Sequence, residues 1–146
     1  MKILIIEDEI PAANRLENLI KESRLIITTT SSKEPPIQSD WVKPGTHITA
    51  VGSDTPEKCE LDPNILSTAD LVVADSLEQN LIRGEIHQAV KRSIINSESI
   101  VELGEIFEGL NPGRTNDDSI TVADLTGVAV QDLVIAKAVL SAKKES

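Results

Sequence analysis

Glu7, Asp8 and Glu9 stand side by side, directly after the apolar run KILII at residues 2–6. Adjacent carboxylates at a strand end supply the hard oxygen ligands that a divalent cation such as Mg²⁺ requires. Glu7 and Asp8 are therefore the metal candidates. A simpler reading is a solvated loop whose negative charge faces the start of the next helix. Four more polar groups follow comparable apolar runs: Thr30, Ser31 and Ser32; Ser53 and Asp54; Asp75 and Ser76; and Asp124. Were these runs parallel strands, all five groups would meet at one edge of a sheet, where open α/β sheets bind ligands.

Other reactive side chains lack the company they need. Ser31 and Ser32 do not sit in a G-x-S-x-G elbow, so a serine hydrolase is not expected. His47 and His87 have no ligand spacing around them and read as a strand histidine and a helix-surface histidine. Cys59 follows Lys58, which lowers a thiol pKa, but a nucleophile also needs a positioned base and none is evident.

The elements that must position the carboxyl edge are legible as short β-branched runs at 2–6, 25–30, 47–52, 70–75 and 119–124. Helical patterns separate several of them. Pro11 suits a first helical turn, and Ile10, Ala13, Leu16, Leu19 and Ile20 then share one face. Asp62 and Pro63 open a short helix carrying Ile65 and Leu66. Further helical patterns cover 77–92 and 97–109, and a last helix runs from near Gly127 to about Lys143. Strands alternating with helices give the expected fold class: α/β, a mostly parallel five-stranded sheet with flanking helices in a Rossmann- or flavodoxin-like three-layer sandwich. The proline-rich 31–46 segment is short, which makes its flanking strands neighbours, and the expected order is the sequential one. Right-handed crossovers in that order all lie on one side, so one sheet face is left for the last helix and a partner subunit. A homodimer is expected on that ground.

The 146 residues are expected to form one domain. The net charge of −10 argues against nucleic acid and anionic membranes as partners. No stretch approaches the ~18 consecutive apolar residues of a membrane span. A lone cysteine fits a reducing, cytoplasmic setting. Trp41 and Phe107 are the only aromatic residues, so the core must be built from Ile, Leu, Val and Ala.

The stretch MKILIIEDEIPAANRLENLIKE, residues 1–22, resembles the first strand and helix of response-regulator receiver domains of the LytR type. The resemblance implies that Glu7 and Asp8 match the acidic pair that helps to hold a divalent metal in that family. The family's phosphoacceptor context and final lysine are missing.

From residue 25 to about 141 the chain resembles a different family, that of ornithine cyclodeaminase, mu-crystallin and archaeal alanine dehydrogenase. The segments LIITTTSSKEPPIQSDWVKPGTHITAVGSDTPEKCELDPNIL, ADLVVADSLEQ and GRTNDDSITVADLTGVAVQD carry the likeness in the family's order. The resemblance implies a Rossmann domain that binds NAD(H). It implies that Asp54, in GSDTPEKCELD, matches the catalytic aspartate, that Thr30, Ser31 and Ser32 lie near the cofactor, and that Val51 and Gly52 run beside the nicotinamide. Departures accompany it. The glycine-rich phosphate turn is replaced by Glu7, Asp8 and Glu9, Glu57 stands in place of a glycine, and Ala123 and Leu125 replace a bulky apolar residue and a serine.

The two resemblances meet near Ser23 and Arg24. They point to a chimera, engineered or recombined, with a receiver-like unit at 1–23 and a Rossmann-like half at 24–146. The expectation is a scaffold with no native catalytic function and no cofactor. The alternative is a residual NAD(H) or Mg²⁺ site at the carboxyl edge.

Overall fold

A computed structural model describes residues 2–9 and 11–144. Six parallel strands form one sheet: β1 (Ile3–Ile6), β2 (Leu25–Thr28), β3 (His47–Ala50), β4 (Leu71–Ala74), β5 (Val101–Glu102) and β6 (Thr121–Asp124). The helices are α1 (Ala13–Glu22), α2 (Asn64–Thr68), α3 (Leu77–Asn80), α4 (Gly84–Lys91), α5 (Leu103–Phe107) and α6 (Ala129–Lys144). This is the Rossmann-like α/β class anticipated above, with two differences in the sheet. The two-residue strand β5 is additional, being too short to register as a pattern. The order is β1-β2-β3-β6-β4-β5 rather than sequential. The first three neighbours are as expected, but the last strand enters between β3 and β4, pairing His47 with Thr121 on one side and Leu71 with Thr121 on the other.

Two helical expectations are divided by local structure. Residues 77–92 split into α3 and α4 because Gly84 takes a φ of +93°, which ends one helix and restarts another. Residues 97–109 split into a 3₁₀ turn, the strand β5 and the short α5.

Strand periodicity places alternate residues on opposite faces. One face carries Ile6, Ile26, Ile48, Val122 and Val72, buried beneath Leu16 and Ile20 of α1, Ile65 and Leu66 of α2, and Ile86 and Ala89 of α4 in one apolar cluster. Ile10, expected on the inner face of α1, lies outside the described residues. The opposite face is only partly covered. Ile3 and Ile5 of β1 are 53% and 59% exposed. At the other end of this face, α5 and the turn through Arg114 border, with His47, Leu71 and Val73, an open cleft of about 330 Å³. The last helix does not cover this face, since Leu133, Val134, Ile135, Val139 and Leu140 of α6 are all exposed. Among the described residues no helix is long and apolar enough to cross a membrane.

Candidate functional site at the carboxyl edge

The sheet brings the polar groups together as the spacing suggested. Ala50 of β3 and Ala74 of β4 both sit in register with Asp124 of β6, so the loops after β3, β6 and β4 leave the sheet side by side. Two carboxylates that sequence reasoning missed hold those loops. Glu60, fully buried, accepts the Thr30 backbone N–H at 2.5 Å, the Gly52 N–H at 2.7 Å and the Thr28 hydroxyl at 2.8 Å. It thereby fastens the loop after β2 to the loop after β3. Glu85, also fully buried, accepts the backbone N–H groups of Glu60 at 2.8 Å and Leu61 at 3.0 Å, and the Ser53 hydroxyl. Burial pushes Glu85 up to about 7 against the opposing effect of those hydrogen bonds. The available signal was the apolar setting of both residues: Glu60 lies between Cys59 and Leu61, and Glu85 precedes Ile86 at the start of an apolar helix face.

Gly52 is required by the closeness of these loops. A Cβ there would stand 2.1 Å from the Thr30 carbonyl oxygen and 2.6 Å from Glu60 Oε1. Asp124 forms a third buried carboxylate. It accepts the Ile86 N–H at 2.8 Å and fills the space where a Cβ on Gly84 would fall, 2.6 Å from Oδ2. Burial, followed by the charge of Glu85, pushes Asp124 up to about 7. Asp75 closes the far side by accepting the Ser76 and Gly127 N–H groups, each at 2.9 Å.

Asp54 contrasts with the buried Glu60, Glu85 and Asp124. It is exposed, two residues beyond Gly52, and its Oδ1 accepts from Lys58 Nζ at 2.6 Å. That hydrogen bond holds its carboxyl below the usual range, so Asp54 is ionised at neutral pH. Val51 is 41% exposed beside it. Thr30 is buried, with its N–H on Glu60 and its Oγ1 3.4 Å from the Ser32 N–H, whereas Ser31 is exposed.

The two metal candidates do not converge with other ligands. Asp8 Oδ1 accepts the Ser31 N–H at 2.8 Å and the Ser31 hydroxyl at 3.0 Å, and these bonds lower its pKa. Glu7 is exposed. Among the described residues no group of three or more His, Cys, Asp or Glu side chains is placed to hold a metal ion. Cys59 is buried, with its thiol pushed up to about 12 by burial and by Glu85. His47 is wedged between the Thr121 and Thr49 hydroxyls, and burial lowers its pKa.

Against known proteins, residues 2–146 match the ornithine cyclodeaminase/mu-crystallin family. The chain belongs to this family. It is 46% identical over 116 residues to alanine dehydrogenase of Archaeoglobus fulgidus, a match covering 79% of this chain and 36% of that protein. It is 38% identical over 132 residues to iminosuccinate reductase of Paracoccus denitrificans, covering 90% and 41%. Among solved structures, an archaeal alanine dehydrogenase dimer with bound NAD superposes with a TM-score of 0.82 at 41% identity, covering 89% of this chain and 41% of that one. This family member thus spans roughly two fifths of the length of those curated relatives.

These findings correct three expectations. The family match runs through the first 22 residues, and nothing in the comparisons shows a receiver segment, so an engineered chimera is not supported. The expectation of no catalytic function is overturned by relatives that are dehydrogenases and reductases. The expectation of no cofactor fails against a neighbour that holds NAD. The first strand and helix form a unit common to α/β folds, so residues 1–22 alone do not distinguish one such family from another.

Proposed function

We propose that this chain is the cofactor-side portion of an NAD(H)-linked enzyme acting on an amino or imino acid, with Asp54 handling the proton. The observation that carries this reading is the contrast among the carboxylates of the edge. Glu60, Glu85 and Asp124 are buried and committed to backbone N–H groups, while Asp54 alone at the end of β3 is exposed and ionised.

The donor set at β2 and β3 fits the nicotinamide end of a dinucleotide. Val51 offers an exposed apolar side chain, the Ser31 and Ser32 hydroxyls donate to Asp8 and the Glu34 carbonyl and so present acceptor oxygens, and Thr30 and Gly52 supply backbone fixed by Glu60. These five residues are assigned to the cofactor. Glu7 and Asp8, at the end of β1, are a poorer match to phosphate, and Asp8 already occupies the donors of Ser31. When bound, the nicotinamide supplies the hydride donor or acceptor. Asp54, held ionised by Lys58, accepts a hydrogen bond from the substrate ammonium and takes its proton as the carbon–nitrogen double bond forms. In the reverse direction it returns a proton to the nitrogen.

The chain works as one α/β unit over 1–146 and pairs with a second copy. The exposed Ile3 and Ile5 and the dimeric archaeal neighbour support that assembly. The test is a thermal melt with and without NADH. A ligand that binds the native state raises the midpoint by mass action, whereas an unchanged midpoint at millimolar NADH rejects the reading.

A further inference from the structure

The loop that carries Asp54 is held from one helix. Gln88 of α4 is only 8% exposed. Its Nε2 donates to the Pro56 carbonyl at 2.8 Å, with the Lys58 carbonyl 3.4 Å away as a second acceptor. Among the described residues no other group donates to either carbonyl. Three positions earlier on α4, Glu85 accepts the Ser53 hydroxyl and the Glu60 and Leu61 N–H groups. Residues three apart share a helix face. Glu85 therefore fastens the two ends of the loop while Gln88 fastens its middle.

The loop needs both hydrogen-bonding senses. Ser53, Glu60 and Leu61 present donors, which a carboxylate accepts, whereas Pro56 and Lys58 present carbonyls, which only a donor satisfies. The Gln88 amide is also fixed end for end. Its Oε1 accepts from Arg92 Nη2 at 3.3 Å, and a guanidinium has donors only, so Nε2 is turned to the loop. Lys58 in turn donates from Nζ to Asp54 Oδ1 at 2.6 Å, and among the described residues it is the only side chain bonded to that carboxylate. A line of contacts thus runs from Arg92 through Gln88 and Lys58 to Asp54.

We infer that Gln88 is a positioning residue for Asp54, setting the place of that carboxylate by fixing the backbone of Pro56 and Lys58. The inference deepens the proposed function and rests on it for the use made of Asp54. A reacting group must be held in near-attack geometry, and a displacement of about 1 Å costs up to ~10²-fold in rate. An exposed carboxylate on a loop has that geometry only if the loop is fastened from beneath.

Two near-isosteric variants test this. Gln88→Met deletes the donor without changing the charge, and Gln88→Glu sets a carboxylate against the two carbonyls. The readouts are the titration of the Asp54 carboxyl by ¹³C NMR, NADH affinity by fluorescence, and turnover of NAD with L-alanine as the probe amino acid. In Gln88→Met the Asp54 carboxyl should rise toward its ordinary value of 3.8 as the Lys58 bond loosens. Turnover should fall about tenfold or more, with NADH affinity unchanged to within about twofold. Gln88→Glu should lose more turnover, and Gln88→Met alone decides if Gln88→Glu does not fold. A role confined to holding α4 together would leave the Asp54 titration where it is, so an unmoved titration in Gln88→Met overturns the inference. A moved titration with full turnover also overturns it. A wild-type chain that neither binds NADH nor turns over L-alanine rejects the proposed function, and a moved titration then still supports the hold of Gln88 on Asp54.

Discussion

The Glu85 carboxylate accepts the backbone N–H of Glu60 at 2.8 Å, while the Glu60 carboxylate itself accepts the N–H groups of Thr30 and Gly52. Two buried acids therefore act in series, with no Lys or Arg beside either one in an ion pair among the described residues. Both oxygens of each carboxylate face N–H donors, an arrangement a side-chain amide cannot reproduce because its NH₂ would oppose an N–H. Glu60→Gln and Glu85→Gln should each lower stability by about 1–3 kcal/mol despite being nearly isosteric. Urea denaturation checks this. Midpoints equal to wild type would show that the loops are held by other contacts.

The same acids set a pH dependence. Glu85 and Asp124 rise from ordinary values of 4.5 and 3.8 to about 7 in the folded protein. The folded state therefore holds these protons more tightly than the unfolded chain. Stability from this source is greatest near the ordinary carboxylate values, falls as pH rises toward 7, and is lowest above it. Asp8 and Asp54 are shifted the opposite way, and their effect is confined to more acid pH. The melting midpoint should be higher at pH 5.5 than at pH 8, and Asp124→Asn should flatten the difference. A midpoint that climbs from pH 5.5 to 8 contradicts the assignment.

Much of the fold was legible because its signals are local. Apolar β-branched runs mark β1, β2, β3, β4 and β6, and the short 31–46 connection correctly makes β2 and β3 neighbours. The place of β6 was not legible. SITVAD reads like any buried strand, and its insertion between β3 and β4 is decided by pairing with His47 and Leu71, residues remote in sequence. The break at Gly84 was hidden because a glycine inside a helical pattern announces a positive φ only when its surroundings, here the Asp124 carboxylate, are known. At the candidate site, family likeness singles out Asp54, and the structure shows that residue to be exposed. Glu60 and Glu85 do not stand out because a carboxylate reads as surface, even beside apolar neighbours, until its burial is seen.

Gly84 and Gly109 separate conformational strain from crowding. Both have positive φ, +93° and +74°, but a Cβ at Gly109 would meet nothing within 4 Å, while one at Gly84 would meet the Asp124 carboxylate. Gly109→Ala should cost about 1–2 kcal/mol from backbone conformation alone. Gly84→Ala should cost clearly more, since Asp124 must also give up its bond to Ile86. Equal losses in calorimetry would mean that the carboxylate moves aside freely.

Asp54→Asn tests the proton-handling role without disturbing the fold, because the residue is exposed and its bond to Lys58 lies at the surface. Turnover should fall about 10²–10⁴-fold, the range for loss of a general acid–base group, with NADH affinity unchanged. Retention of turnover would exclude Asp54. Loss of NADH binding would move its role from the substrate to the cofactor.

Asp8 bears on how tightly the cofactor is held. Its carboxylate lies at the end of β1, where a phosphate-binding family places glycines, and it accepts both donors of Ser31 through Oδ1 alone. Asp8→Asn keeps a carbonyl oxygen able to accept those same bonds and removes one negative charge. The loop should therefore hold its shape while repulsion toward a diphosphate falls. A unit charge about 4 Å away in water is worth about 1 kcal/mol, so NADH affinity should rise about fivefold. Fluorescence titration of NADH at two salt concentrations checks both the gain and its screening. An affinity that falls on substitution would show instead that the carboxylate itself takes a hydrogen bond from the cofactor.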